Sequence, residues 1–413
     1  MGKNHFWCAL AFIICIAVSL HAEEPQVLLG VENIPQSLIN WLRTRRVGLI
    51  MNHTSRDQQG RRTIDIFVQH DIRVARLFAP EHGFDGSLLA EKDVCDMRDA
   101  ITGIPVIGIY NCGPKRAETN HKIEDLDVLI FDMQDAGIRH FTYISTLLHM
   151  LEGAARYHIP FIVLDRPNPL GCCMEGPVGS LLHLPHVTLA PVSLPLRYGL
   201  TVGELAHYFN QEASHNTADV RVIPMRGYSR SMPQPPVASY ALSPNIQSRA
   251  ACYGYSFLGL LGEIRPFDVA IATPQAFTCA LLPEDIPCPT QTWSSLTSLL
   301  QKHGVTTSLY NYMSVRKKKK CRGCALTFGD CNTMSSFQIF LLTVQLFRQA
   351  GIALTFSPGF DHAVGSETVR LFLSGMLDKE RFVEQINTDL NLFLQRVRPL
   401  LLYTPEPRVI VLI

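Results

Sequence analysis

Leu77-Phe-Ala-Pro-Glu81-His82-Gly83-Phe84 is an apolar run that stops abruptly at a carboxylate, an imidazole and a glycine. The pattern recurs along the chain. Val47-Gly-Leu-Ile-Met51 ends at Asn52-His53-Thr54, Asp127-Val-Leu-Ile-Phe131 at Asp132-Met-Gln134-Asp135, and Phe161-Ile-Val-Leu164 at Asp165-Arg166-Pro-Asn168. Runs that are apolar at every position, not at alternate ones, read as strands buried on both faces of a parallel sheet. Ligands of open α/β sheets bind outside the carboxyl ends of such strands. Parallel strands would therefore line up Asn52, His53, Glu81, His82, Asp132, Gln134, Asp165 and Arg166 along one rim. Taken singly, each is as readily a helix cap or turn former. Taken together, Glu-His and Asp-Arg are not what turns select, which is Ser, Gly and Asn.

Helical spacing fills the gaps between these strands, over residues 63–70, 143–157 and 201–211. In the second of these, Leu147, Leu148, Leu151 and Ala155 form one apolar face, so that face is core. Further strands are expected over 105–110 and 220–224. Strands alternating with helices of this length imply βαβ units and a Rossmann-like sheet. At 413 residues the chain exceeds the usual size of one hydrophobic core, so two domains are expected. The Pro-rich stretch Ser231-Met-Pro-Gln-Pro-Pro236 breaks both periods. It separates an α/β domain over residues 23–235 from a smaller α+β C-terminal domain over residues 236–413. The second holds helical segments over 335–351, 366–376 and 379–396, and a final strand over 408–413 that would close it.

Lys3 precedes an uncharged run from Phe6 to Leu20, followed by Ser19-Leu-His-Ala22 and then Glu23-Glu24. Such a run is short of the ~20 residues that span a bilayer but suits the core of a signal peptide. The expectation is cleavage after Ala22 and export to the periplasm or beyond, with an uncleaved anchor as the alternative. The 37 Lys and Arg against 36 Asp and Glu leave a net charge of +1, which does not steer the chain toward nucleic acid or an anionic membrane. Twelve cysteines include the pair Cys172-Cys173 and a lone Cys321-Arg-Gly-Cys324 beside Lys317-Lys-Lys-Lys320. They allow one or two disulfides in an oxidising compartment, without a zinc or thioredoxin-like spacing. The lysine run marks a solvated loop.

The sequence lacks a G-x-G-x-x-G after the first strand, a G-x-x-x-x-G-K-[ST], a G-x-S-x-G after a strand and an H-E-x-x-H. Neither a nucleotide cofactor, nor a serine nucleophile, nor a metal is indicated by these patterns, and an oxidoreductase reading has little support. His53, His82, His140 and His149 read as satisfied polar groups. Carboxylates at the strand ends remain. Glycoside hydrolysis needs an acid to protonate the leaving oxygen and a second group on the other face of the sugar. Glu81, between Phe78-Ala-Pro and Gly83-Phe84, has the apolar flanks that suit such an acid. Asp132 and Asp135, with Arg139 and His140 close behind, either bind a polyhydroxylated ligand or neutralise one another in an ion-pair network.

The ordered motifs resemble one family. They are Gly48-Leu-Ile-Met-Asn52-His53-Thr54, Leu77-Phe-Ala-Pro-Glu81-His82-Gly83-Phe84-Asp-Gly86 and Phe131-Asp132-Met-Gln134-Asp135-Ala-Gly137-Ile-Arg139. Thr142-Tyr143-Ile-Ser-Thr, Val163-Leu-Asp165-Arg166-Pro-Asn168-Pro-Leu-Gly171, Glu175-Gly-Pro, Arg197-Tyr-Gly-Leu-Thr-Val-Gly-Glu204 and Ser243-Pro-Asn245 continue the likeness. Phe360-Asp361-His-Ala-Val-Gly365-Ser extends it into the second domain. The chain resembles the exo-β-N-acetylmuramidases of the NamZ type, exported peptidoglycan hexosaminidases. That resemblance implies release of N-acetylmuramic acid from the non-reducing ends of peptidoglycan glycans, without a cofactor. It implies Glu81 as the catalytic acid. It also implies a sugar cleft lined by Asn52, His53, His82, Asp132, Gln134, Arg139, Tyr143, Asp165, Arg166, Asn168 and Asn245. Arg139 or Arg166 would meet the lactyl carboxylate. One departure stands out. The family's longer Gly- and Glu-rich loop before R-P-F is shortened here to Phe257-Leu-Gly-Leu-Leu-Gly262-Glu263-Ile-Arg265-Pro-Phe267, with Glu263 in place of a loop carboxylate. The shortening sets a second reading beside the first, a non-catalytic descendant that binds muramyl saccharides or serves as an envelope interaction protein.

Overall fold

The computed structural model describes residues 27–89, 92–109, 122–180 and 192–412; the expected signal segment, residues 1–22, lies outside them. The apolar runs form a seven-stranded sheet from β1 (Val47–Met51), β2 (Val74–Ala79), β3 (Met97–Arg98), β4 (Pro105–Gly108), β5 (Val128–Asp132), β6 (Phe161–Leu164) and β9 (Val220–Ile223). Their order is β3-β4-β2-β1-β5-β6-β9, parallel throughout except for the edge strand β3. The chain leaves β1 toward β2 and β4, then returns to its other side for β5, β6 and β9. This reversal opens a crevice between the carboxyl ends of β1 and β5, where doubly wound sheets hold ligands.

Covering of both faces explains the continuous apolar runs. Leu49, Leu77, Val128, Ile130 and Ile162 pack on one face with helices α1 (Gln36–Leu42) and α2 (Thr63–Gln69). Ile50, Phe78, Leu129, Phe131, Phe161 and Val163 face α3 (Tyr143–Tyr157) and α4 (Val202–Ala213) on the other. Each such side chain, taken fully out of water, contributes roughly 1.5–3 kcal/mol.

Two strands outside this sheet were not legible in the sequence. β7 (Cys173–Ser180) and β8 (Ser193–Arg197) run antiparallel, and β15 (Arg408–Val409) adds to β7 in parallel. The last strand therefore completes a sheet begun in the first half of the chain, where a closing strand for the C-terminal half was expected. The remaining elements are β10 (Ile264–Arg265) with β14 (Thr355–Phe356), and the sheet β11 (Cys279–Pro283), β13 (Lys320–Phe328) and β12 (Val305–Met313) in that order. Helices α5 (Arg249–Leu261), α6 (Thr290–Lys302), α7 (Ser336–Gln349), α8 (Phe360–Val364), α9 (Glu367–Leu373) and α10 (Lys379–Val397) pack among them. One apolar cluster runs through both halves, from Ile50 to Leu412. A buried polar joint reinforces it. Glu175 on β7 accepts from Arg197 Nη1 at 2.9 Å and from the backbone N–H groups of Ser336 and Phe337 at 2.9 and 3.0 Å. A carboxylate is thereby held on the electropositive first turn of α7.

The described cysteines, Cys95, Cys172, Cys173, Cys252, Cys279, Cys288, Cys321, Cys324 and Cys331, are all free thiols, so no disulfide joins them. Cys321 and Cys324 are an odd number of residues apart on β13 and point to opposite faces, into different apolar clusters. Among the described residues no helix is long and apolar enough to cross a membrane.

Candidate active site

Glu81 reaches the rim through a tight turn. β2 ends at Ala79, Gly83 N–H donates to Pro80 O at 3.1 Å, and both His82 and Gly83 have positive φ, 68° and 78°. The second of these values suits glycine, whereas His82 is held there by its ring, with Nδ1 2.8 Å from Leu88 O. Glu81 is only 5% exposed, and Thr142 Oγ1, at the start of α3, donates to its Oε2 at 2.6 Å. The next residue, Tyr143, donates to Leu242 O at 2.9 Å. Burial, and next the charge of Glu81, push the Tyr143 phenol far above its usual range. Tyr255, on α5, is raised in the same way by burial and then by the charges of Glu81, Asp135 and Glu263. The fields of three carboxylates thus meet at one phenol. Tyr255, whose hydroxyl donates to His140 O at 3.5 Å, is absent from the sequence-derived set.

Asp135 also belongs to this group. Its Oδ2 accepts from Gly137 N–H at 2.6 Å and from the Tyr198 hydroxyl, while its buried Oδ1 has no partner among the described residues. Burial raises its carboxyl to about 6, against the hydrogen bonds from Tyr198, Gly137 and Ala136. Asp165 is likewise raised to about 6 by burial. A carboxyl whose value is higher in the fold than unfolded stabilises the fold below about pH 4 and loses that contribution as pH rises through about 6. Each group should therefore remove roughly 2–3 kcal/mol of stability between those limits. Urea unfolding of wild type and Asp135→Asn at pH 4.5 and 7 checks this. The variant should lose distinctly less stability across the interval, and an identical pH dependence in both would refute the assignment.

Several rim residues are tied to one another. Asp132 receives Arg166 Nε at 2.5 Å and Nη2 at 2.9 Å, with both side chains essentially unexposed, and Thr63 Oγ1 donates to the same carboxylate. Asp165 accepts from Gly203 N–H at 2.7 Å in the first turn of α4, and from Thr201 Oγ1 at 2.9 Å and the Tyr403 hydroxyl at 2.6 Å. Gln134 donates to Asp135 O and Pro167 O at 2.9 and 2.8 Å. Asn168 donates to Leu200 O at 3.1 Å and accepts from Leu170 N–H at 2.9 Å. Asn52 Oδ1 accepts from the Thr54 hydroxyl at 2.6 Å and its N–H at 3.0 Å. His53 Nε2 lies 2.6 Å from Ala241 O, and burial lowers its pKa.

Arg139 points away from Glu81, into the base of the β7–β8 hairpin. Its Nη1 donates to Pro177 O and Leu194 O at 2.8 and 2.7 Å. The guanidinium is wedged against Gly179 and Gly365, where any Cβ would collide with it. Burial lowers its pKa to about 9. Asn245 accepts from Ala272 N–H at 3.0 Å, and Glu263 is half-buried with the Ser357 hydroxyl donating to Oε2. The segment around Ala241 and Leu242, tied down by His53 and Tyr143, lies across the rim. Several buried atoms of the strand-end residues have no partner among the described residues: Asn52 Nδ2, His53 Nδ1, Gln134 Oε1, Asp135 Oδ1 and Arg166 Nη1. Buried polar groups are ordinarily satisfied, so such a concentration marks a place for water or ligand.

Comparison with known proteins bears on the family and the fold. Residues 47–250 match the family described as "Exo-beta-N-acetylmuramidase NamZ, N-terminal". The chain is 34% identical over 261 residues to the peptidoglycan beta-N-acetylmuramidase NamZ of Bacillus subtilis (strain 168). That match takes in 60% of this chain and 62% of the relative's length, less than two thirds of it. Its fold is similar to that of a DUF1343 family protein of Bacteroides fragilis NCTC 9343, with a TM-score of 0.77 and 28% identity over 92% of this chain and 99% of that one. A second DUF1343 family protein of the same organism has a TM-score of 0.69 at 23% identity, over 92% of this chain and 100% of that one, and speaks to the fold alone. Residues 47–250 of the chain thus carry the N-terminal module of the NamZ family.

Proposed function

We propose that the protein is an exported glycoside hydrolase that releases N-acetylmuramic acid from the non-reducing end of peptidoglycan-derived glycans. The observation that carries the reading is Glu81, a buried carboxyl at the carboxyl end of β2, oriented by Thr142 within the family-matched module. Glu81 donates the proton to the departing glycosidic oxygen, and Glu263 is the second carboxylate that the reaction requires. The unpartnered Nη1 of Arg166 supplies a donor for the lactyl carboxylate. Residues 1–22 direct export and are removed after Ala22. N-terminal sequencing of the exported protein should begin near Glu23, and an intact Met1 in the membrane fraction would overturn that part.

One observation favours a second reading, a binder without turnover. The loop before Arg265 is short, Glu81 is buried, and the Ala241–Leu242 backbone is bonded to His53 and Tyr143. Incubation of the mature chain with a muramic-acid-terminated disaccharide, followed by mass analysis, separates the two. Free N-acetylmuramic acid is the expected product. Saturable binding without release would establish the binder instead.

A further inference from the structure

We propose that the outer face of the β12–β13 hairpin docks the protein on an anionic lipid bilayer. This goes beyond the glycosidase reading and does not depend on it.

β12 is the edge of its sheet, and its register with β13 sets Asn311 opposite Arg322 and Met313 opposite Lys320. Directly opposed residues of antiparallel strands project on the same face. One face of the hairpin therefore joins Leu309 and Met313 on the edge strand to Lys320 and Arg322 on its neighbour. Helix α6 covers the far end of this face, where Thr297 bonds Thr307 at 2.9 Å and Val305 is buried. Beyond the helix the face is open. Leu309 is 81% exposed, Met313 56% and Val315, in the connecting turn, 60%.

The turn is ordered. Ser314 N–H donates to Lys319 O at 2.8 Å, and Lys318 N–H to Ser314 O at 2.9 Å. Lys317 alone of the lysine run folds inward, donating to Pro266 O and Phe267 O at 2.6 and 2.7 Å and lying 3.7 Å from Asp268. With Lys317 as the anchor, Val315, Arg316 and Lys318 are held outward. Lys319 pairs with Asp285 at 2.6 Å, and Glu284 lies in the same neighbouring loop. Arg316, Lys318, Lys320 and Arg322 are exposed and have no carboxylate within ion-pair distance among the described residues. The local balance is strongly positive although the whole chain carries a net charge of only +1.

Exposed aliphatic side chains interleaved with unpaired cations fit the interface of an anionic membrane, where apolar groups enter the acyl boundary while Lys and Arg meet headgroup phosphates. A soluble polyanion would use the cations and leave Leu309, Met313 and Val315 in water. A second copy packed on this face would oppose the cationic rows, so like-charge repulsion disfavours it.

Co-sedimentation of the full chain with vesicles of phosphatidylcholine, with and without phosphatidylglycerol, tests the proposal. Binding is expected only with phosphatidylglycerol, and it should weaken as salt is raised. Lys318→Gln/Lys320→Gln should reduce vesicle affinity by about tenfold or more, and Met313→Ser/Val315→Ser should reduce it separately. All four positions are exposed, so thermal midpoints should stay close to wild type. Failure of the wild type to bind anionic vesicles would overturn the proposal. So would binding that ignores both double variants, retention on polyphosphate alone, or a solution dimer abolished by Met313→Ser/Val315→Ser.

Discussion

Glu81→Gln should lower turnover of a muramic-acid-terminated disaccharide by roughly 10²–10⁴-fold, the usual contribution of a positioned general acid. The amide occupies the same volume and still offers an oxygen to the Thr142 hydroxyl, which bonds Oε2 at 2.6 Å. The turn through His82 and Gly83 is unaffected. The variant should therefore keep its thermal midpoint and bind the sugar nearly as well as wild type, losing only the proton it would deliver. Single-turnover kinetics and a binding isotherm, measured in parallel, decide the matter. Near-normal turnover would remove Glu81 from the mechanism. Wild type that binds but never releases product would establish the binder reading.

The second large effect falls on the fold. Arg166→Ala should destabilise the protein by about 3–5 kcal/mol, because it strands the carboxylate of Asp132 in the interior without its cation. Both side chains of the pair are essentially unexposed, and Thr63 alone would remain as a side-chain donor to Asp132. Asp132→Leu/Arg166→Met, which removes both charges, should be far milder than either single change, since the cost lies in leaving one charge unpaired. Urea unfolding of the complete cycle measures this coupling. A loss below about 1 kcal/mol for Arg166→Ala would mean that the pair is not needed by the fold. Asp132 and Arg166 would then be free to serve a ligand first.

The contrast between these variants shows what the sequence made legible. Continuous apolar runs identified β1, β2, β5 and β6, and their abrupt ends located one rim of polar residues, because strand burial on two faces leaves no other reading. α3 was legible to the residue from its helical spacing. The partnerships within the rim were not. A strand end says where Asp165 lies but not that Tyr403, 238 residues later, donates to it. Nor does it say that Arg139 turns into a hairpin. β7 escaped notice because Cys173-Met-Glu-Gly-Pro-Val-Gly-Ser180 has neither alternation nor an apolar run. Tyr255 was hidden for another reason. It lies in the largely buried helix α5, whose apolar residues signal core packing and give no hint that a phenol there is raised by the charges of Glu81, Asp135 and Glu263.

Asp165 also bears on the timing of folding. Its bond to Tyr403 and the addition of β15 to β7 tie the end of β6 and the neighbouring β7 to residues much later in the chain. During vectorial synthesis the sheet core has its strands long before its rim is complete. Such sequence-distant closures also carry the loop entropy that slows folding. A nascent chain synthesised only as far as β9 would therefore hold an assembled sheet beside a rim that still lacks Tyr403.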